Sequence, residues 1–239
     1  MQSRFLSRII NKIKYAIAMR SSDSYINYLR KKGVYVGLNT HIHQKTCQID
    51  LTRPSLITIG DNVLINKNFT LLTHDFVSGV FIRADKSFVN SSGRVKIGNN
   101  VRFGHNVMVL KGVTIGDNCF IGAGSIVSKD IPSNSVAVGY PCRVILSLDD
   151  YYQIRLKKSE EEALDYARSI KERFHRDPIP SDFWEEFIWF VSGIEIDQFP
   201  EIPIKTQLGP SYERYKSSHK AKYRSFEDFL IAAGISLDK

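Results

Sequence analysis

Apolar and polar positions recur with a period of six residues between Ile97 and Pro132. The run consists of six consecutive units, which read IGNNVR, FGHNVM, VLKGVT, IGDNCF, IGAGSI and VSKDIP. An aliphatic or aromatic residue opens each unit, and the fifth position is again apolar or small. Because these two positions lie an even number of residues apart, they share one face of a short strand. An amphipathic helix would need a period near 3.6, which the run lacks.

The fourth position of each unit predicts a corner. It is occupied by Asn, Gly or Asp, which are the residue types that adopt a positive φ at low cost. These positions are Asn100, Asn106, Gly112, Asn118, Gly124 and Asp130. Two earlier units, IGDNVL and INKNFT, carry the same chemistry at Asn62 and Asn68. Short strands that turn at regular corners predict a solenoid, whereas a β-sandwich would have longer and less evenly spaced strands.

One interruption breaks the period. Ile59 and Ile97 open equivalent units, but their separation is not a multiple of six. Residues 76–94 are therefore predicted to form a loop that leaves the solenoid, and loops of this length are usually functional or disordered. His74 stands at the base of this loop. Histidine suits general-base chemistry because its unperturbed pKa lies near neutral pH; the alternative is a surface histidine without a role.

The repeat resembles that of the hexapeptide-repeat acyltransferases. The flanking segments IGDNVLI, VKIGNN and GYPCRVI carry the same resemblance, and the ends of the chain resemble a subgroup of bacterial acetyltransferases of sugars and surface polysaccharides. The resemblance implies a left-handed parallel β-helix with three units per turn. Together with the helical patterns near both ends of the chain, the repeat and its interruption predict a mainly β fold with N-terminal helices, an extruded loop and a helical C-terminal extension. The hand is implied by the resemblance alone.

Three segments are predicted on this basis. Residues 1–32 form an N-terminal helical segment, residues 33–146 form the β-helix domain with its loop at 76–94, and residues 147–239 form a helical extension. Within the extension, the aromatic residues of 181–191 are predicted to pack on the outside of the solenoid or on a neighbouring subunit. Residues 196–224 are predicted to be irregular.

The resemblance also implies an activity. It implies direct transfer of an acetyl group from acetyl-CoA to a carbohydrate hydroxyl, on a surface polysaccharide or its precursor, with His74 as general base. The positions that match the donor site are the backbone at Ala123 and the side chains of Ser128, Lys129, Arg143 and His105. Cationic side chains there suit the phosphates of CoA. His105 departs from the Ser or Asn that the family often has.

The acceptor site is less specified. His43, Asp50 and Asp75 precede or adjoin His74 and are the candidates for binding the acceptor. An N-acetyltransferase of an amino-sugar nucleotide stays open, because an amine acceptor needs a base too. A catalytically silent scaffold also stays open, although it would not need His74, Lys129 and Arg143 together. The histidines lack the spacing expected of a zinc site, so no metal is predicted.

Charge and cysteine content set the remaining expectations. The chain has a net charge of +8, of which residues 1–32 carry +7, with eight basic residues against one acidic residue. Residues 3–19 predict a basic amphipathic helix that packs on the solenoid or on another subunit, or lies on an anionic membrane. Nucleic-acid binding is not expected.

Three cysteines without a pairing pattern favour a protein of the reducing cytoplasm. The protein is expected at the inner membrane surface if the N-terminal helix binds there. The resemblance implies a homotrimer with sites between subunits.

Overall fold

The computed structural model of this chain describes Ile10 and residues 12–236. Two compact units meet in the sequence between Tyr152 and Gln153. Part of the predicted helix at 3–19 lies outside the described residues, whereas residues 12–18 are helical and form α1. Within the described part of the chain, no helix is both long enough and apolar enough to cross a membrane.

Three sheets form the walls of the first unit. The first sheet contains Tyr35–Val36 (β1), Ile57–Ile59 (β4), Val95–Ile97 (β7) and Thr114–Ile115 (β10). The second sheet contains His41–Ile42 (β2), Leu64–Ile65 (β5), Val101–Phe103 (β8), Cys119–Ile121 (β11), Ser135–Val138 (β13) and Arg143–Ser147 (β14). The third sheet contains Gln48–Ile49 (β3), Thr70–Leu71 (β6), Met108–Val109 (β9) and Ile126–Val127 (β12). The strand order rises by three along each sheet up to β12, which is the order of a parallel β-helix and fits the left-handed form that the resemblance implies.

Helices precede, interrupt and follow these strands. The α-helices after α1 are Ser22–Lys32 (α2), Ser78–Arg83 (α3), Leu148–Phe174 (α4), Ile204–Leu208 (α5), Tyr212–Ser218 (α6) and Phe226–Ala232 (α7). Short 3₁₀ helices occur at Gln44–Thr46, Pro54–Leu56, Pro180–Asp182, Glu186–Trp189, Gly193–Gln198 and Gly209–Ser211. The stretch 196–224 is therefore made largely of short helices, and the prediction that it is irregular was wrong.

The first core is a column of aliphatic side chains. Ile59 pairs with Ile97, and Ile97 pairs with Ile115, so equivalent residues of successive coils stack inside the solenoid. All three are almost completely buried, and each contributes about 1.5–3 kcal/mol relative to an exposed side chain. Helix α2 packs on β1 and β2 and adds Tyr25 and Leu29 to the same core. The N-terminal helices therefore cover the apolar end of the column.

The predicted corners are confirmed at all positions except one. The asparagines in the fourth position have φ between 53° and 61°, and Gly112 and Gly124 have φ of 79° and 72°. Asp130 is the exception, because the last coil is shorter. The spacing between paired strand residues gives the length of a coil. Phe120 and Val136, which pair across the last coil, are two positions closer in sequence than Arg102 and Phe120, which pair across the coil before it. The prediction of a corner with positive φ at Asp130 was wrong. The next corner is Asn134, which has φ of 58° and stacks on Asn118, whose side-chain amide donates to Asn134 Oδ1 at 2.9 Å.

The interruption is an insertion between β6 and β7. Ile59 pairs with Ile97 just as Ile97 pairs with Ile115, although the first two are more than twice as far apart in sequence. The inserted segment contains α3, so it is not entirely a loop. Its two ends are joined by hydrogen bonds from Gly93 N to Thr73 O at 2.9 Å and from Asp75 N to Ser91 O at 3.2 Å.

The second unit has a core of its own. Phe183, Phe187 and Phe190 are buried among side chains of α4 and α7. The prediction that these aromatic residues pack on the solenoid or on another subunit was wrong for these three, because their own unit supplies the apolar surface. Trp184 stays 59% exposed.

Candidate active site

His74 lies where the chain leaves the solenoid. Strand β6 ends at Leu71, and the backbone of His74 bridges to Ser92 in antiparallel fashion across the base of the insertion. The strand end and the returning segment therefore hold this residue from two sides. A regular coil has no equivalent position, because its chain turns directly into the next strand.

Asp50 binds the His74 ring from the preceding coil. His74 Nδ1 lies 2.6 Å from Asp50 Oδ2 and 3.3 Å from Thr52 Oγ1. The side chains of His74 and Asp50 are 15% and 6% exposed. Within the described residues, every side-chain hydrogen bond of His74 is made through Nδ1. With Nδ1–H donated to the carboxylate, Nε2 is the ring nitrogen that can accept a proton.

Four hydrogen bonds from two threonines keep Asp50 ionised. Oδ2 accepts from Thr73 N at 3.1 Å and from the Thr73 hydroxyl, and Oδ1 accepts from Thr52 N at 2.9 Å and Thr52 Oγ1 at 2.7 Å. Burial raises the pKa of Asp50, but these bonds and the contact with His74 outweigh it and lower the pKa far below its ordinary value. Asp50 is thus a carboxylate at neutral pH.

The position of Asp50 differs from the sequence-based expectation, which grouped it with acceptor-binding residues. Its carboxylate points to His74 rather than to open solvent. The periodicity offered no signal for this contact, because the coil is irregular there. Ile49 and its partner Leu71 lie four positions farther apart in sequence than Arg102 and its partner Phe120, which belong to regular coils.

Asp75 forms a salt bridge and a hydrogen bond that link the insertion to the next coil. Its Oδ2 lies 2.9 Å from Lys111 Nζ and accepts from Ser91 Oγ at 2.9 Å. Hydrogen bonding from Lys111, with smaller contributions from the Val77 amide and Ser91, lowers the pKa of Asp75 to about 2. Lys111 was not among the residues predicted from the sequence. A signal existed, since Lys111 occupies the same place as Lys129 one coil later.

The other candidate residues lie at two edges of the solenoid. Ser128 and Lys129 follow β12, at the same edge where His74 follows β6. His43, His105 and Ala123 follow strands of the second sheet and therefore lie at a neighbouring edge. Gly124 N donates to His105 O at 2.8 Å, which shows that these positions stack. One copy of the chain thus divides the predicted donor-site residues between two edges.

His43 and Arg143 have identifiable surroundings. Partial burial, followed by nearby His41, Lys67 and His105, lowers the pKa of His43, so this ring is neutral at pH 7. Arg143 is exposed at the start of β14 and donates from Nη1 to Cys142 O at 2.7 Å. Among the described residues, neither Arg143 nor Lys129 forms a salt bridge, so both cations can bind another anion.

The cysteines do not offer a nucleophile. Cys47, Cys119 and Cys142 are free and buried, and burial raises the pKa of each thiol. A raised pKa leaves little thiolate for covalent catalysis. In the part of the chain that the structure describes, no group of three His, Cys, Asp or Glu residues could hold a metal ion.

Known proteins share this repeat. Residues 94–129 match the family model of the bacterial transferase hexapeptide (six repeats). The galactoside acetyltransferase solved in complex with coenzyme A is 32% identical, and the match covers 61% of this chain and 82% of that one, with a TM-score of 0.42. The chain belongs to the hexapeptide-repeat transferase family. The family prediction is therefore confirmed.

Further relatives of this hexapeptide-repeat transferase bear similar names. The galactoside O-acetyltransferase of Escherichia coli (strain K12) is 45% identical over 119 residues, which are 49% of this chain and 55% of that one. The putative acetyltransferase YvoF of Bacillus subtilis (strain 168) is 36% identical over 112 residues, which are 47% and 59% of the two chains. The chain thus spans a little over half the length of these curated relatives. A maltose O-acetyltransferase from Clostridium difficile 630 is 30% identical over 59% of this chain and 84% of that one, with a TM-score of 0.42.

Proposed function

We propose that this protein is an O-acetyltransferase that transfers an acetyl group from acetyl-CoA to a carbohydrate hydroxyl. The observation that carries the proposal is the Asp50–His74 pair, held at 2.6 Å at the base of the insertion. Family membership and the acetyltransferase names of the relatives support the reaction class. A scaffold protein would have no need for an ionised carboxylate bound to a histidine at the point where the repeat is interrupted.

The proposed chemistry is direct transfer. His74 Nε2 accepts the proton of the acceptor hydroxyl while the oxygen of that hydroxyl attacks the carbonyl carbon of the acetyl-CoA thioester. The resulting tetrahedral intermediate breaks its carbon–sulfur bond, and the imidazolium returns the proton to the departing CoA sulfur. Asp50 holds the ring and stabilises its positive charge. General-base assistance of this kind contributes about 10²–10⁴-fold, and substrate positioning supplies much of the remainder.

Donor binding involves the predicted residues at both edges. Ser128, Lys129 and Arg143 are exposed polar groups suited to the phosphates of CoA, and Ala123 and His105 are exposed at the neighbouring edge. Because these residues are divided between two edges, we propose that a homotrimer completes each site, with His74 from one subunit and the Ala123 edge from the next. Light scattering tests the trimer: an active, monodisperse monomer would contradict it.

The proposed acceptor is a sugar of a surface polysaccharide or its precursor, in the space between His74 and the insertion. His43 and Asp75 stay candidates for acceptor contacts, although Asp75 is already bound to Lys111. Peripheral membrane contact through residues 3–19 also stays a prediction, because residues 1–9 and 11 lie outside the described part.

An assay of thiol release from acetyl-CoA, run against sugars, amino-sugar nucleotides and polysaccharides, tests the activity. Treatment of the product with mild hydroxylamine, followed by mass spectrometry, then separates a labile ester from a stable amide. An amide product would favour the N-acetyltransferase alternative. The scaffold alternative would instead be supported if CoA does not bind and no acceptor stimulates thiol release.

A further inference from the structure

The two N-terminal helices enclose a cleft that the proposed reaction does not use. Its volume is about 470 Å³, and it lies between α1 and α2. Its lining includes Lys14, Ile17, Asn27, Tyr28, Lys31 and Lys32. Cations from both helices therefore border one cavity, with polar side chains and an aliphatic side chain beside them.

Among the residues that the structure describes, the cationic groups of this cleft have no anionic partner. Within the described residues, Lys14, Lys31 and Lys32 form no salt bridge, and Lys32 Nζ lies 5.4 Å from the centre of the Tyr28 ring. Asp23 is the acidic residue of α2, and it does not line the cleft. Three ammonium groups beside an amide and a phenol suit an anion with several acceptor oxygens, such as a phosphate group.

An exposed apolar stripe runs beside the cleft. Ile10, Ile13 and Ile17 are 42%, 54% and 48% exposed, and their spacing places them on one side of a helix. Ile17 also lines the cleft, so the stripe and the lysines meet there. The side of α1 that packs on α2 is a different one, where Ala18 is buried and the Tyr15 ring contacts the Tyr28 ring at 5.8 Å.

We infer that the α1–α2 cleft binds the phosphate headgroup of an anionic phospholipid while the isoleucine stripe enters the boundary between headgroups and acyl chains. This ligand matches both features, because its phosphate and its acyl chain are adjacent. A free anion would leave the isoleucines in water, and an uncharged apolar partner would leave the lysines unpaired. The inference goes beyond the proposed acetyl transfer and does not depend on it.

Vesicle flotation of the full chain tests the inference. We expect the protein to float with vesicles of phosphatidylcholine plus phosphatidylglycerol and not with phosphatidylcholine alone. Replacing Lys14, Lys31 and Lys32 by Gln should lower vesicle affinity about a hundredfold, because each lysine near an anionic surface contributes roughly fivefold. The matching Arg variant should retain binding, which separates loss of charge from loss of folding.

The control variant removes the same charge elsewhere. Replacing exposed Lys157, Lys158 and Lys220 by Gln should leave flotation nearly unchanged. Equal losses in both Gln variants would overturn the site, because net charge would then explain binding. A competition experiment separates a lipid from a soluble anion. If inorganic phosphate releases the protein from the vesicles as effectively as unlabelled anionic vesicles of equal phosphate content do, the ligand is a soluble anion and the inference is wrong.

The isoleucine stripe distinguishes a membrane from a second copy of the chain. Replacing Ile13 and Ile17 by Ser should weaken flotation and leave the oligomeric mass unchanged in light scattering. A fall in that mass with unchanged flotation would show that the stripe covers another subunit, and the proposed lipid contact would be wrong.

Discussion

Strands β6 and β9 are neighbours in the same sheet, yet the chain continues differently from each. After β9 it turns at Gly112, with φ of 79°, directly into β10. After β6 it leaves the solenoid and returns at Gly93, where an added β-carbon would lie only 2.7 Å from Gly112 N. The first corner presents backbone and a lysine, whereas the second places His74 against Asp50. The regular repeat therefore forms a uniform wall, and its interruption holds the histidine that is the proposed general base.

The largest expected effect concerns the interrupted corner. His74→Ala should lower kcat about 10²–10⁴-fold because it removes the proposed general base. CoA affinity, measured by calorimetry, and oligomeric mass should stay as in the wild type. His175→Asn is the matched control, since His175 is exposed and already has φ of 54°, which Asn tolerates. Near wild-type turnover of the His74 variant would refute the mechanism.

Asp50→Asn should have the next largest effect. The amide lacks the negative charge that stabilises the imidazolium, so kcat should fall roughly 10²-fold, near the lower end of general-base contributions. KM for acetyl-CoA should be unchanged. Thr52→Val, which removes one of the supporting hydroxyl bonds, should show a smaller decrease. A fall in CoA affinity and thermal stability that accounts for the whole activity loss would indicate a merely structural role.

A substitution at the regular corner, Gly112, should lower stability rather than activity. Gly112→Ala forces a β-carbon into the left-handed region and should lower the free energy of unfolding by about 1–2 kcal/mol. Gly79→Ala is the control, because Gly79 lies in α3 and its added carbon would meet nothing nearer than 3.5 Å. That change should be neutral or slightly stabilising. Urea unfolding measures both, and equal losses would argue against corner strain as the cause.

The smallest expected effect is a loss of stability at acidic pH that depends on Asp75, where the insertion leaves the solenoid. The pKa of Asp75 is lowered from 3.8 to about 2 in the folded protein. Its contribution to stability is therefore fully present above the unfolded value and is lost as pH falls through about 2. Asp75→Asn should lower the thermal midpoint slightly at pH 7, and the difference from the wild type should shrink as the pH falls from about 4 towards 2. A difference that stays constant from pH 7 to pH 2 would contradict this assignment.

Local chemistry made the solenoid predictable. The apolar first and fifth positions, with Asn or Gly at the corners, repeat the same geometry in each unit, so the period alone indicates stacked strands. The prediction failed at Asp130, where the last coil is two residues shorter and the side chain instead accepts from Thr114 N at 2.7 Å. A shortened coil is visible only once the strands are paired.

By itself, the sequence determined the repeat, its interruption and the presence of a histidine at that interruption. It could not determine the partner of His74, because Asp50 lies in an irregular coil and no period relates the two residues. The packing of Phe183, Phe187 and Phe190 was likewise decided by tertiary structure, since an aromatic pattern does not say which apolar surface covers it. Periodic contacts follow from local residue types, whereas contacts across irregular segments depend on how the whole chain folds.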